Sequence, residues 1–220
     1  MIQVSELSFY TDEGRVILDD IRLRVEWGEW LFLVGPPGVG KTVFIKLLTG
    51  ELRPRRGQIL VNDRNVTRLG PERLRQLRRT MGIVPQQPLI LDRETVMAGL
   101  IFKLRALGLL QEEAERRAAE ALEALGAAQL APRPPRELSP VEQALAQIAL
   151  AICHDPILLL ADESCRGLKG EEALRVLEAL DRLHKRKRLT MLTTAEDGEL
   201  ASKFGTRAVY LRNGRLEERR

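Results

Sequence analysis

Apolar and polar residues along this chain change their spacing three times, and each change marks a different kind of element. Near the start, Ile2 to Phe9 and then Ile21 to Val25 read as strands, the second with apolar side chains on every other residue. A turn at Trp27-Gly28-Glu29 leads into the unbroken apolar run Trp30 to Val34, the pattern of a strand covered on both faces. Gly57 to Asp63 predicts a short strand ending in a turn, and Met81 to Val84 a buried strand closed by Pro85. From about residue 88 to 151 the period becomes helical, with helices expected over Thr95 to Ala106, Gln111 to Leu125 and Ser139 to about Cys153. Ala131 to Arg136 is proline-rich and predicts a stiff, non-helical connector. The mixed pattern then returns: strands Ile157 to Ala161 and Leu189 to Thr194, a helix from Glu171 to Lys185, and a last strand Ala208 to Leu211.

Composition narrows the classes. At 220 residues, 44% hydrophobic and 30% charged, the chain is expected to be a globular, non-disordered protein with one substantial core. No apolar stretch approaches a membrane span, and Met1 to Glu6 lacks the regions of a signal peptide, so a cytoplasmic location is expected. Cys153 and Cys165 have no metal-ligand spacing and read as small buried or half-buried side chains. The net charge of +4 comes from scattered basic residues and from helix-like segments such as Arg73 to Arg79, without interleaved aromatics, so no nucleic-acid partner is expected.

The chemistry begins after the run Leu31 to Val34. Gly35-Pro36-Pro37-Gly38-Val39-Gly40-Lys41-Thr42 is a complete phosphate-binding loop set between an apolar strand and the helical pattern Val43 to Leu48. Glycines let backbone N–H groups converge on phosphate oxygens, Lys41 reaches the β- and γ-phosphates, Thr42 offers its hydroxyl to Mg²⁺, and the helix starting near Gly40 aims its positive end at the anion. Asp162 and Glu163 close the apolar strand Ile157 to Ala161. Such a pair also caps helices, but after a full phosphate loop it reads as a Mg²⁺-supporting aspartate and a water-orienting glutamate.

These motifs together resemble an ABC-type nucleotide-binding domain over essentially the whole chain. Gly35 to Thr42 matches the first Walker motif, Gln86 in Val84-Pro85-Gln86-Gln87 the Q-loop, Leu138-Ser139 the start of the signature segment, and Leu158 to Glu163 the second Walker motif with its catalytic glutamate. Leu160 to Glu163 and Leu91 to Val96 look most like the branch containing the cell-division ATPase FtsE and the lipoprotein exporter LolD, which the short length also suits. The resemblance implies an α/β fold: a P-loop NTPase core with a mixed β-sheet, an N-terminal antiparallel β-subdomain and an inserted α-helical subdomain. It implies a single ABC ATPase domain over 1–220, with core and β-subdomain in 1–87 and 152–220 and the helical subdomain in 88–151. Tyr10, or Thr11 one register away, would stack on adenine; Gln86 and Asp162 would join Thr42 at Mg²⁺; Ser139 would contact the γ-phosphate held by the opposite subunit. The implied substrate is ATP, and the implied place is the inner face of the cell membrane, bound peripherally. The implied partners are an integral membrane subunit, FtsX-like or an exporter permease, and either a second copy in a head-to-tail homodimer or another ABC ATPase in a heterodimer.

Three positions depart from that pattern. The signature continues Pro140-Val141-Glu142 in place of two glycines and a Gln or Glu; Ala195 stands at the switch-histidine position; and Gly167-Leu168-Lys169 replaces Asn-Leu-Asp. Pro140 has no N–H to offer a phosphate and Val141 crowds the backbone, while Ser139 to Glu142 still reads as a capping box with proline at the first helical position. His154 and His184 are expected to be ordinary surface residues. The departures spare the elements that bind Mg-ATP in cis and alter those that act across a dimer or sense the γ-phosphate, so two expectations stand. One is an ATPase subunit docked on a membrane protein; the other is a nucleotide-responsive module or the degenerate half of a heterodimer.

Overall fold

A computed structural model describes residues 1–86 and 95–218. In chain order the first elements are β1 (Ile2–Tyr10), β2 (Val16–Val25), β3 (Trp30–Val34), α1 (Lys41–Leu48), β4 (Arg56–Val61), β5 (Arg64–Asn65), α2 (Pro71–Arg78) and β6 (Met81–Val84). There follow α3 (Val96–Ala106), α4 (Gln111–Ala124), α5 (Pro140–Ile152), β7 (Leu158–Ala161) and α6 (Glu171–Lys187). The last elements are β8 (Thr190–Ala195), α7 (Glu199–Lys203), β9 (Arg207–Arg212) and β10 (Arg215–Glu218). They form two compact units, Met1–Thr80 with Thr190–Arg220, and Met81–Leu189.

The first unit carries an antiparallel sheet in the order β2-β1-β4-β5. Strict alternation from Ile2 and Val4 would point Glu6 inward. The β1–β2 register instead shifts between Val4 and Leu7, with Glu6 at φ 50°, and this bulge returns Leu7 to the core beside Ile2 and Val4. The unit's second group of strands is mixed: β3 lies between β8 and β9, parallel to both, and β10 runs antiparallel to β9. Every residue of β3 is buried, which explains its unbroken apolar run.

At the C-terminal end of β3, Val34 pairs with Ala195 of β8 and Tyr210 of β9, so the loop that follows starts from a point fixed on both sides. The expectation that β9 is the last strand is corrected here. Asn213 and Gly214 both take positive φ, 47° and 77°, and return the chain as β10. Asn-Gly between strands is the sequence signal for such a hairpin, and it was present.

In the second unit β6 and β7 pair in parallel from Met81↔Leu158 to Val84↔Ala161, bringing the ends of both strands together. Helices α3 to α6 complete it. In α6, Ala173, Val176, Leu177, Leu180 and Leu183 form one buried stripe, with Glu171 and Glu172 in the first turn and Lys185 to Lys187 in the last, charges that oppose the helix dipole at each end. Helix α3 begins after Thr95, whose side chain accepts from the Ala98 N–H at 3.1 Å. The connector expected to be non-helical holds one 3₁₀ turn, Pro135–Glu137, which proline allows at its first position. Of the segments that carried the resemblance, Gln87 and residues 91–94 lie outside the described residues. Among the described residues no helix is long and apolar enough to cross a membrane.

Candidate functional site

The phosphate loop sits in the first unit between β3 and α1. Gly35 is buried and its N–H donates to the Ala195 carbonyl at 3.0 Å. A Cβ at Gly35 would lie 2.6 Å from the Leu211 carbonyl oxygen, so no larger residue fits there. Pro36, Pro37 and Gly38 form the exposed crest, and Val39 is half-buried. Gly40 caps α1 at φ 113°, ψ 10°, a left-handed conformation that suits glycine, and a Cβ there would lie 2.9 Å from Ile17 Cγ2. Helix α1 has no side-chain cap and no acidic residue in its first turn, so its leading N–H groups and positive end are left to the loop.

Lys41 is buried, and its ammonium donates to the carbonyls of Gly35 at 2.7 Å and Pro36 at 3.1 Å. The loop thus folds around the tip of the lysine, holding the cation where phosphate charge is expected. Thr42 follows, half-buried on the first turn of α1. Tyr10 is half-buried at the end of β1 and pairs with Val16, one residue before the Ile17 side chain that Gly40 approaches. The strand register therefore brings Tyr10 to the same end of the first unit as the loop, and Phe9, also half-buried, pairs with Leu18.

Ala195 stands directly beside the loop, which puts the residue at the switch position next to Gly35 with only a methyl group to offer. A cavity of about 440 Å³ borders this corner, lined by Gly35, Pro36, Glu196, Asp197, Tyr210 and Arg212 among others. Sequence reading did not single out Tyr210 or Arg212. Tyr210 comes beside the loop through its pairing with Val34 in the β3–β9 register, which local pattern does not encode, and Arg212 follows it on β9.

In the second unit the ends of β6 and β7 assemble the other group. Asp162 is buried and its N–H donates to the Val84 carbonyl at 2.8 Å, continuing the strand pairing by one residue. Glu163 adopts φ 51°, a left-handed conformation that is uncommon for a residue bearing a side chain. Its Oε2 accepts from Gln86 Nε2 at 2.7 Å, so the structure joins the Q-loop residue to the strand-end glutamate. Cys165, two residues on, has its thiol pushed up to about 11 by burial, which keeps it protonated and unreactive. Lys169 is exposed and makes no ion pair with Glu171 or Glu172 among the described residues.

The signature segment has the expected capping box. The Ser139 N–H donates to Glu142 Oε2 at 2.8 Å, the Glu142 N–H donates to Ser139 Oγ at 3.4 Å, and Pro140 holds the first helical position. Arg133 adds an ion pair to Glu142. The Ser139 hydrogen bond first, with the nearby guanidinium, holds the Glu142 carboxyl below its ordinary range. Two N–H groups at this helix start, those of Ser139 and Glu142, are thus committed to the chain's own side chains.

The histidines are not ordinary surface residues. His154 Nε2 bonds the Met81 carbonyl at 3.1 Å, and its Nδ1 is buried without a partner among the described residues. Burial, with the Lys103 charge nearby, lowers its pKa to about 4. His184 Nδ1 bonds the Leu189 carbonyl at 3.0 Å at the end of α6. Chain spacing gave no sign of either contact.

A family model described as ABC transporter matches residues 18–166. The chain is 34% identical to the cell division ATP-binding protein FtsE of Mycobacterium tuberculosis, over 94% of this chain and 90% of that one. It is 32% identical to the methionine import ATP-binding protein MetN of Rhodopseudomonas palustris over 92% of this chain, but spans only 55% of that relative. Among solved structures, the ATP-binding cassette MJ0796, a dimer in a post-hydrolysis state with ADP and Pi, superposes with a TM-score of 0.86 over 99% of this chain and 97% of that one, at 24% identity. The cassette cbiO1 of Clostridium perfringens, part of the ABC transporter complex cbiONQ, gives 0.92 over 98% and 86%, also at 24% identity.

Proposed function

The chain belongs to the ABC transporter family of ATP hydrolases, as the ATP-binding subunit of a transporter-type complex, and from that premise we propose that it acts in an FtsE-like assembly. In this reading it couples Mg-ATP binding and slow hydrolysis to an integral membrane subunit in cell division, from the cytoplasmic face of the membrane. The observation that carries the reading is the FtsE match, which runs along nearly the whole of both sequences, whereas the import ATPase MetN is matched over about half its length. An export role with a permease partner is the nearest variant of the same proposal.

The chemistry follows from the residues present. Lys41 and the N–H groups from Gly38 to Thr42 bind the phosphates, with the α1 dipole assisting. Tyr10 stacks on the base. The donors assigned to Mg²⁺ are a hydroxyl from Thr42, a carboxylate from Asp162 and an amide from Gln86, whose nitrogen is already spent on Glu163 so that its carbonyl oxygen is the group left to present. These are hard oxygen donors, few in number, which fits a Mg²⁺ that arrives with its nucleotide. Bound Mg²⁺ offsets negative charge on the phosphates and favours attack at the γ-phosphorus. Glu163 orients the attacking water, its carboxylate positioned by Gln86.

ATP turnover by the purified chain with Mg²⁺ tests this, run beside Lys41→Ala and Glu163→Gln. Turnover lost in both variants, with ATP binding lost only in the first, is the expected result. Equal rates in all three proteins would reject hydrolysis by this chain alone.

A second reading, the degenerate half of a heterodimer or a nucleotide-responsive module, is favoured by one specific feature: at the start of α5 the Ser139 and Glu142 N–H groups are engaged in the capping box and Pro140 has none. That helix start is poorly equipped to hold a partner's γ-phosphate. Titrating a candidate partner ATPase separates the readings, since a self-sufficient homodimer gains no turnover from it.

A further inference from the structure

Glu163 is held by more than its place after a strand. The Asp162 N–H donates to the Val84 carbonyl and the Arg166 N–H to the Glu163 carbonyl, each at 2.8 Å, and the Leu168 N–H donates to the Cys165 carbonyl at 3.0 Å. This series of backbone bonds locks Glu163 at φ 51° and fixes the direction in which its side chain leaves the turn. What the backbone cannot fix is the carboxyl end, because the last torsion of a glutamate is broad and nearly unrestrained.

Two side chains meet that end at the same oxygen. Gln86 Nε2 donates to Glu163 Oε2 at 2.7 Å, and Arg166 Nε stands 4.0 Å from the same Oε2. The glutamate side chain is 9% exposed and the arginine side chain 56%, so a solvated cation lies at the rim of a nearly buried carboxylate. Gln86 comes from the end of β6 and Arg166 from the turn after β7, so the oxygen is held from two independent pieces of backbone.

Resting on the assignment of Glu163 as the water-orienting carboxylate, we propose that Arg166 is a positioning residue, which with Gln86 fixes Glu163 Oε2 and so sets the plane of the carboxylate for attack on the γ-phosphorus. A carboxylate that rotates freely loses orientation, and misplacement of a reacting group lowers rate without changing substrate affinity. The arginine is exposed and, among the described residues, its one ion pair lies within its own turn, so its removal is expected to leave the fold intact.

The test is steady-state turnover, binding of a fluorescent ATP analogue and Tm, measured on the full chain with Arg166→Ala, Arg166→Lys, Arg166→Glu, Glu163→Gln and the Arg166→Ala/Glu163→Gln pair. Arg166→Ala is expected to lower kcat about two- to fivefold, the range of a single exposed ion pair, with KM, analogue affinity and Tm unchanged. Arg166→Lys should recover most of the rate, Arg166→Glu should lose more than alanine, and Arg166→Ala should have no further effect once Glu163 is glutamine. A kcat at or above wild type in Arg166→Ala overturns the proposal, as does a loss of analogue affinity, which makes Arg166 a nucleotide ligand. A parallel fall of Tm and kcat without rescue by lysine makes it structural and overturns it too. Full turnover in Glu163→Gln, or none in wild type above Lys41→Ala, overturns the assignment of Glu163 itself, a result distinct from a failure at Arg166 alone.

Discussion

At the residue scale the chain separates groups that chemistry identifies from groups that only packing explains. Lys41, Asp162 and Glu163 were readable because their neighbours in sequence make their setting: a glycine loop before one, an apolar strand before the others. The Gln86 contact with Glu163 was not, since it joins residues 77 apart that meet only because β6 and β7 pair in parallel. His154 illustrates the same limit and yields a prediction. Its neutral ring donates from Nε2 to the Met81 carbonyl, and burial together with the Lys103 and Arg117 charges disfavours protonation, which the Met81 carbonyl and Asp155 only partly offset. The folded pKa of about 4 lies below the unfolded value near 6.5, so the unfolded chain takes up a proton first as pH falls. The stability associated with His154 is therefore present above pH 6.5 and is lost progressively toward pH 4. Urea midpoints at pH 7 and pH 4.5 are expected to differ less in His154→Gln than in wild type.

At the scale of elements, local sequence and local structure agree most closely in α5. Ser139, Pro140 and Glu142 form the capping box that their spacing predicts, and Arg133 extends it. Lys103 of α3 donates to the Leu150 carbonyl in the last turn of the same helix, so each end of α5 has a side-chain partner, one from local residues and one from a neighbour. Burial lowers the Lys103 pKa, consistent with an ammonium packed against a helix end. Ser139→Ala is expected to cost about 1 kcal/mol, read as a lower denaturation midpoint with an unchanged m-value. Strand β10 shows how a present signal goes unread: Asn213-Gly214 marks the hairpin, yet the charged residues after it mask the strand. The bulge at Glu6 was hidden for a different reason, because only the demand that Leu7 face the core forces it.

For the whole molecule, the proposed function predicts that the departures at Pro140, Val141 and Lys169 bear on association rather than on the binding of nucleotide in cis, whereas Ala195 adjoins the loop itself. Restoring the glycines with Pro140→Gly/Val141→Gly removes the proline start of α5, adds one backbone N–H at position 140 and takes the branched side chain away from the N–H of position 141. The double variant is expected to be less stable as a monomer and to sediment more readily as a dimer with ATP in a Glu163→Gln background. No shift in sedimentation would show that the signature substitutions do not limit self-association. The sequence by itself determined the class of fold, the phosphate loop, the strand-end acids and the capped start of α5, because each is a short-range matter of spacing, backbone freedom and hydrogen-bonding groups within a few residues. Tertiary structure alone decided that Gln86 reaches Glu163 Oε2, that Tyr10 lies at the loop's end of its unit, that Ala195 abuts Gly35, and that His154 is half-buried with its Nδ1 enclosed. Those relations depend on strand register and packing between distant segments, which alternation and propensity leave open.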